Sequence, residues 1–298
     1  MRTRVLGSAL ILILAAAACA GGTAKDSGKP RVITAFYPIE FAARHVGGTF
    51  IDVKNLTPPG GEPHDLELRP SDVISMRGAD LVLYFDSGFQ PAIEDAIDTM
   101  PDRSKVVDLL SGLPLKTPSG ENEENLQADP HVWLSPVLMQ KLVDGVTEAL
   151  VKRLPSKATE IRAAAEALGS DLIALDHEFR TKLSSCERRK IFTSHAAFAY
   201  MAEQYGLSQI AISGLSPEAE PSSERLLQIA RQAKEAHATT IFFETLVSPR
   251  VAQAVARIVG AKTAVLDPIE GLPSTSGDYF SVMRSNLKNL VEALGCKS

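Results

Sequence analysis

The longest regular pattern in this sequence is a stripe of apolar residues near its middle. They recur at alternating spacings of three and four, as Ile161, Ala165, Leu168, Leu172, Leu175, Phe179 and Leu183. This is the period of one helix face, so the pattern predicts a single helix from about Ser156 to Ser184. At about 1.5 Å per residue it would be roughly 40 Å long, well beyond the usual three or four turns. Such a helix is a stiff connector between the two halves of the chain.

Each half contains four short β-rich runs separated by helical or turn-rich sequence. We predict strands at 31–37, 50–56, 81–85, 106–110, 190–193, 210–213, 240–243 and 263–266. Alternating strands and helices predict an α/β fold of two Rossmann-like lobes, each a four-stranded parallel sheet flanked by helices. We assign 30–154 to the N-terminal lobe, 155–184 to the linking helix and 185–298 to the C-terminal lobe.

The N-terminus has the pattern of a secretory signal peptide, and we leave it out of the fold. Two arginines precede an apolar stretch from Val5 to Ala18, which ends in four alanines and is followed by Cys19. Small residues just before a cysteine resemble a bacterial lipobox, in which the thiol is acylated and becomes the new N-terminus. We predict a signal peptide at 1–18 and a lipid-anchored tether at 19–29. The alternative is an ordinary signal peptide cleaved near Ala18.

Charge and cysteine usage narrow the class of protein further. Lys plus Arg total 31 and Asp plus Glu total 36, a net charge of -5. A nucleic-acid-binding protein needs a basic surface, so we exclude that class, and no apolar run beyond the signal is long enough to span a membrane. Outside the cell, Cys186 and Cys296 are more often bridged than free. We predict a disulfide between them, with two separate thiols as the alternative.

Four polar side chains lie in loops that follow predicted strands. His64 and His131 belong to the first half, and His195 and Asp267 to the second. In open α/β sheets, ligands bind outside the carboxyl ends of the strands, so facing lobes would bring these residues to one cleft. Imidazole nitrogens and a carboxylate suit Zn²⁺, and four of them fill a tetrahedral shell.

Other interpretations of these residues stay open. A histidine in a loop is often an ordinary surface or hydrogen-bonded side chain, and Asp267 before Pro268 is a reasonable turn-initiating residue. Glu244 closes another predicted strand and could replace Asp267 as the fourth ligand, as could water. We assign no metal role to the remaining histidines. His45 and His237 lie within helical sequence, and His177 lies off the apolar stripe.

Several motifs occur together in an order that resembles a known family. They are the lipobox, Pro63-His64-Asp65-Leu66-Glu67 with Pro70-Ser71-Asp72, the run 129–136, the stretch 214–222, Phe243-Glu244 and Leu266-Asp267-Pro268. Together they resemble the zinc/manganese-type (cluster A-I) solute-binding proteins of ABC transporters, over about residues 30–295. The resemblance implies two α/β lobes on a long rigid helix with one metal ion between them. It places the ligands at His64, His131, His195 and Asp267.

The third ligand position bears on the choice of metal. Manganese-type members of the family tend to have Glu where this chain has His195, and three imidazoles favour Zn²⁺ over Mn²⁺. The segment 116–127 contains three glutamates and no histidine, unlike the His-rich loop of many zinc members, and we interpret it as a solvated acidic loop. Carboxylates near the ligands in sequence are candidates to orient the imidazoles: Glu62, Asp65, Asp129 and Glu244.

The resemblance implies a lipid-anchored extracytoplasmic protein that binds one Zn²⁺ and delivers it to an ABC permease. We expect a monomer and no enzymatic activity. The alternatives are a manganese-binding member, a metal-dependent surface adhesin and, least favoured, a zinc hydrolase. A hydrolase would keep an open coordination position, and the sequence contains no His-Glu-x-x-His pair or Gly-x-Ser-x-Gly elbow.

Overall fold

The first half of the chain forms one parallel sheet. The structure is a computed structural model that describes residues 28–118, 126–217, 221–272 and 277–297. Strands β1 (Arg31–Thr34), β2 (Asp52–Asn55), β3 (Leu81–Tyr84) and β4 (Val106–Asp108) lie in the order β2-β1-β3-β4. The four strands confirm the predicted sheet. Strand β1 is three residues shorter than expected, because the first helix already begins at Tyr37.

Four helices cover this sheet, and each has a proline in its first turn. They are α1 (Tyr37–Gly47), α2 (Pro70–Arg77), α3 (Pro91–Asp98) and α4 (Pro136–Arg153). Proline suits this place because its φ is already helical and the first-turn N–H groups have no partner within the helix. The prolines therefore fix where each helix leaves its preceding loop, and two of those loops carry predicted ligands.

The predicted linking helix is confirmed as α5 (Ala158–Leu183), which follows a single 3₁₀ turn at Pro155–Lys157. Every member of the apolar stripe except Ala165 is buried. The buried face of α5 packs against α1 and α4 and belongs to the same apolar core as the first sheet. The helix thus packs along the first lobe, and its C-terminal part also contacts the second half, where Asp176 accepts from Tyr205 and Glu178 accepts from Arg284.

The second half contains four more parallel strands: β5 (Lys190–Thr193), β6 (Ser208–Ala211), β7 (Thr240–Phe243) and β8 (Lys262–Val265). Hydrogen bonds join β5 to β6 and β7 to β8, and β5 lies beside β7. The second half therefore contains two hydrogen-bonded pairs of strands that lie side by side. The sequence had predicted one four-stranded sheet. The helices are α6 (Ala199–Gln204), α7 (Ser223–Glu235), α8 (Arg250–Val259) and α9 (Tyr279–Leu294).

A disulfide joins the two ends of the second half. The sulfur atoms of Cys186 and Cys296 are bonded, which confirms the predicted pair. The bridge joins the segment just after α5 to the segment just after α9, and backbone hydrogen bonds between the same two segments flank it. The lobe boundaries at 30–154 and 185–298 stay predictions. The predicted signal peptide and Cys19 lie outside the described residues, as does most of the predicted acidic loop.

Within the described ranges, no helix combines the length and apolar character needed to cross a lipid bilayer.

Candidate metal centre

His64 lies in the loop between β2 and α2, and buried polar contacts hold that loop in place. Thr57 Oγ1 donates to the carbonyl of Ala35, the residue just after β1, at 2.8 Å. The buried Gln90 side chain donates to Thr57 Oγ1 and to the carbonyl of Pro63. The residue before His64 is therefore tied to the body of the first lobe. Only 6% of the His64 side chain is exposed.

His131 lies immediately before the 3₁₀ turn Val132–Leu134, which leads into α4. Its side chain is fully buried. Asp129 Oδ1 accepts two hydrogen bonds from it, one from the backbone N–H at 3.0 Å and one from Nδ1 at 2.8 Å. The ring is thus oriented by its own loop, with Nε2 pointing away from Asp129.

His195 follows β5 and is held through its backbone. Its carbonyl accepts from Thr193 Oγ1 at 2.7 Å and from Gln209 Nε2 at 2.9 Å, which links the loop to β6. The His195 side chain is 1% exposed. Two of the three histidines therefore come from the first lobe and the third comes from the second, as the sequence predicted.

The three imidazoles converge on one carboxylate oxygen, Glu270 Oε1. It lies 3.0 Å from His131 Nε2, 3.3 Å from His195 Nε2 and 3.4 Å from His64 Nε2. One donor atom from each of these four residues lies within 4.8 Å of all the others. Neighbouring ligands of a tetrahedral Zn²⁺ at about 2.0–2.1 Å are about 3.3 Å apart. The spacing and chemistry of the donors therefore fit one zinc ion.

The fourth position differs from the sequence prediction, because Asp267 is not in this group. Its carboxylate lies in the same loop but accepts hydrogen bonds from Thr245 Oγ1 and from the backbone N–H of Ile269, both at 2.7 Å. Glu270, three residues further on, is fully buried and reaches the imidazoles instead. Sequence reasoning missed Glu270 because the strand-end rule selects a loop and does not select a residue within it.

Three of the four carboxylates predicted to orient the imidazoles lie next to the ligands. Asp129 bonds His131, and Glu62 accepts from the backbone N–H of His64 at 3.2 Å. Glu244 Oε2 lies 2.8 Å from His195 Nδ1, on the side of the ring that faces away from Glu270. Glu244 is thus a partner of a histidine and not the fourth donor. Asp65, the remaining candidate, is exposed.

Burial and the charge of Glu270 set the protonation of the site. Burial, and then repulsion from the His131 and His195 imidazoles, lowers the pKa of His64 although Glu270 opposes the shift. Burial also opposes the charged forms of His131 and His195, but the neighbouring carboxylates outweigh it and raise both pKa values. Burial opposes ionisation of Glu270, yet the three imidazoles hold its pKa well below the usual range. Glu62 has its pKa raised to about 8, by burial and then by Glu270.

Several buried nitrogen and oxygen atoms of the site have no hydrogen-bond partner among the described residues. They are both ring nitrogens of His195 and the Oε2 atoms of Glu62, Glu244 and Glu270. Unpartnered buried polar atoms are rare and costly in native proteins. A divalent cation at the centre would bind His195 Nε2 and the Glu270 carboxylate together, so the residues present fit the predicted metal.

Trp133, the only tryptophan of the sequence, packs beside this site. Its ring centroid is 5.2 Å from that of His131, and it is fully buried against Phe36 and Phe85. The indole N–H donates to the carbonyl of Pro268, at 2.7 Å, in the loop that carries Glu270. It is therefore a direct contact between the lobes at the metal centre.

The other three histidines lie elsewhere. His45 is in α1 and His177 is in α5, as predicted. His237 lies just beyond the end of α7 with a positive φ of 51°. The prediction that it lies within a helix is therefore wrong. None of them belongs to the group of donors found among the described residues.

Known proteins resemble the chain over nearly its whole length. The high-affinity zinc uptake system protein ZnuA of Bacillus subtilis is 35% identical to it, over 99% of this chain and 97% of that protein. The zinc-binding lipoprotein AdcA of Streptococcus pneumoniae serotype 4 is 36% identical over 92% of this chain, which spans only 57% of AdcA.

A solved structure has the same fold. The laminin-binding protein Lmb of Streptococcus agalactiae, described as bifunctional with adhesin and metal transporting activity, superposes with a TM-score of 0.80. It is 30% identical, and the match covers 89% of this chain and 99% of Lmb. Residues 32–293 also match the profile of the family described as zinc-uptake complex component A, periplasmic. With the two-lobed fold and a buried His₃Glu centre between the lobes, this match shows that the chain belongs to the ZnuA family.

Proposed function

We propose that this protein captures one Zn²⁺ outside the cytoplasm and delivers it to an ABC importer. The observation that carries the proposal is the convergence of four donors from both lobes: His64, His131, His195 and Glu270. Three imidazoles and a single carboxylate favour Zn²⁺, whereas a manganese site would have more oxygen donors.

A donor set of this kind favours binding over catalysis. Catalytic zinc sites keep an open position for water or substrate, whereas four protein ligands complete a tetrahedral shell. The site is also almost fully enclosed, since the least buried of the four side chains is 6% exposed. We therefore describe the protein as a binding protein that hands its ion to a permease.

Calorimetry on the chelator-treated protein tests the proposal. We expect one Zn²⁺ per chain, and strong loss of affinity in each of the variants His64→Ala, His131→Ala, His195→Ala and Glu270→Ala. Titration with Mn²⁺ under the same conditions should show weaker binding. A stoichiometry other than one, or a preference for Mn²⁺, would overturn the proposal.

We also propose that the mature protein is anchored to the membrane through a lipid on Cys19. The lipobox-like sequence supports this, and the AdcA relative is named a lipoprotein. Mass spectrometry of the protein from its own cells should detect an acylated N-terminal cysteine, which Cys19→Ser would abolish.

We also propose that the protein is a monomer. Light scattering tests this, and it should give the mass of one chain with and without zinc.

A second role, surface adhesion, is supported by the likeness to Lmb alone. It shares the scaffold with zinc transport and is separable from it by experiment. An immobilised-laminin assay with the zinc-loaded protein tests it, with the His195→Ala variant as the metal-deficient control. Absence of binding would remove adhesion and leave zinc delivery untouched.

A further inference from the structure

The turn that carries Glu270 has an unusual backbone. Ile269, the residue just before it, has a φ of +60° and is fully buried. The left-handed region is unfavourable for a β-branched residue, and such residues keep that conformation only where their surroundings enforce it. The contacts that hold Ile269 in this state therefore also determine where Glu270 points.

Asp267 makes the contacts that hold the turn from the side of the second lobe. One carboxylate oxygen accepts from the backbone N–H of Ile269 and the other accepts from Thr245 Oγ1, each at 2.7 Å. The Asn286 side chain bonds the backbone of Asp267 on both sides, accepting from its N–H and donating to its carbonyl. Asp267 is thus fixed to α9 and to the segment after β7.

The first lobe supports the same turn from the opposite side. Trp133 donates its indole N–H to the carbonyl of Pro268. Gly271, just after Glu270, lies so close to the first lobe that a Cβ there would be 2.5 Å from the carbonyl oxygen of Gly61. The turn is held on both sides, and Glu270 lies at its centre.

We infer that Asp267 is a positioning residue for Glu270, holding the left-handed turn at Ile269 so that the Glu270 carboxylate meets the three imidazoles. The inference rests on the proposed function, since it gives Asp267 its role in zinc capture. It assigns no zinc–oxygen bond to Asp267, because both of its oxygens already accept hydrogen bonds from protein groups.

Two substitutions at this position separate positioning from ligation. Asp267→Ala removes both acceptors, and we expect the zinc dissociation constant to rise about 10- to 100-fold, as for other groups that orient ligands. Asp267→Asn keeps an oxygen that accepts from Ile269, and we expect it to restore affinity to within about threefold of wild type. A direct ligand would behave differently, because a neutral amide is a poor substitute for a carboxylate on Zn²⁺.

The measurement is competition with a chelator of known zinc affinity, with Asp98→Ala as the control. Asp98 is an exposed aspartate of α3 whose removal should leave zinc binding unchanged. An Asp267→Asn variant as weak as Asp267→Ala would overturn the inference. So would an Asp267→Ala variant that binds zinc like the wild type.

Amide hydrogen exchange at Ile269, measured in chelator, gives a readout that does not depend on zinc. The amide should be protected in the wild type and in Asp267→Asn, and it should exchange faster in Asp267→Ala. Equal exchange in all three would contradict the inference even if the protein binds zinc as proposed. A wild type that binds no zinc would contradict the proposed function, and the exchange result would still decide whether Asp267 holds the turn.

Discussion

The two lobes hold their histidines in different ways. In the first lobe, Asp129 accepts hydrogen bonds from both the ring and the backbone of His131. In the second lobe, Glu244 lies at the same 2.8 Å from His195 Nδ1, but neither nitrogen of that ring meets hydrogen-bond geometry with any described residue. The His131 ring is held by a directed hydrogen bond to Asp129, whereas the His195 ring is held by its close approach to Glu244 and by bonds to its backbone carbonyl.

This difference predicts that the histidines on the two sides of the cleft are ordered to different degrees before the ion binds. Asp129 holds both the ring and the backbone of His131, so this ring has little freedom left to lose when it binds an ion and is preformed for binding. Glu244 is itself held, because Ser194 Oγ donates to its other oxygen at 2.6 Å. We therefore expect the bound ion to contribute more to ordering His195 than to ordering His131.

Removing a ligand should have the largest effect, and it tests whether both halves are needed. His131→Ala from the first lobe and His195→Ala from the second should each weaken zinc binding by more than the roughly 10- to 100-fold typical of orienting groups. Chelator competition measures this, with His177→Ala, an exposed position on α5, as the control. If either site variant kept its affinity, the lobe it belongs to would not contribute a ligand through that histidine.

Removing the orienting carboxylates sharpens the comparison itself. Asp129→Ala and Glu244→Ala should each weaken zinc binding about 10- to 100-fold. In chelator, Asp129→Ala should also lower the free energy of unfolding by about 1–3 kcal/mol, because it leaves buried donors of His131 without an acceptor. We expect a smaller loss for Glu244→Ala, measured by denaturant unfolding. A larger loss of unfolding free energy in Glu244→Ala than in Asp129→Ala would show that the second lobe holds its histidine more rigidly.

Raising the pH should have opposite effects on two quantities. It should reduce the stability that the charged histidines give to the zinc-free protein, and it should increase the affinity for zinc. Carboxylates raise the pKa of His131 and His195 against the effect of burial, so their contribution to stability is complete below about pH 6.5 and declines as pH rises through their folded values. The imidazoles lower the pKa of Glu270, so its contribution is present above about pH 4.5 and is lost as pH falls through its folded value. Zinc binding releases the histidine protons, which makes the affinity increase with pH.

Thermal unfolding at pH 6 and pH 8, with zinc and with chelator, measures this response. The increase in melting temperature caused by zinc should be larger at pH 8, since tighter binding stabilises the folded state more. A zinc-induced shift that is equal at both pH values would mean that no histidine loses a proton when the ion binds.

The smallest effect is expected for the contact between the lobes at Trp133. Trp133→Phe keeps the aromatic packing and removes the hydrogen bond to Pro268. One such bond contributes about 1 kcal/mol, so zinc affinity should fall about fivefold. Tyr205→Phe, which loses a hydroxyl bonded to Asp176, is the control outside the metal centre. An unchanged affinity in Trp133→Phe would show that the second lobe holds the Glu270 turn without help from the first.

Much of this arrangement could be predicted from sequence, because the relevant signals are local. The stripe from Ile161 to Leu183 has the period of one helix face, and that face is buried in α5. His64, His131 and His195 each follow or precede a recognisable element, and parallel strands bring the ends of such loops together. Their convergence follows from topology and does not depend on details of packing.

The identity of the fourth donor could not be predicted in this way. Asp267 and Glu270 lie in one loop, and both are acidic. The choice between them depends on the left-handed backbone of Ile269 and on partners from distant segments, Thr245 and Asn286, which occupy Asp267. These are tertiary contacts with no local sequence pattern. The one local hint was Gly271, which permits the close approach to Gly61 next to Glu270.

A crystal structure of the zinc-loaded protein, with anomalous diffraction recorded at the zinc absorption edge, would locate the ion directly. We expect one anomalous peak per chain within bonding distance of Nε2 of His64, His131 and His195 and of the Glu270 carboxylate, with Asp267 still bonded to Ile269. A peak bound by residues of one lobe only, or one coordinated by Asp267 in place of Glu270, would contradict the shared site described above.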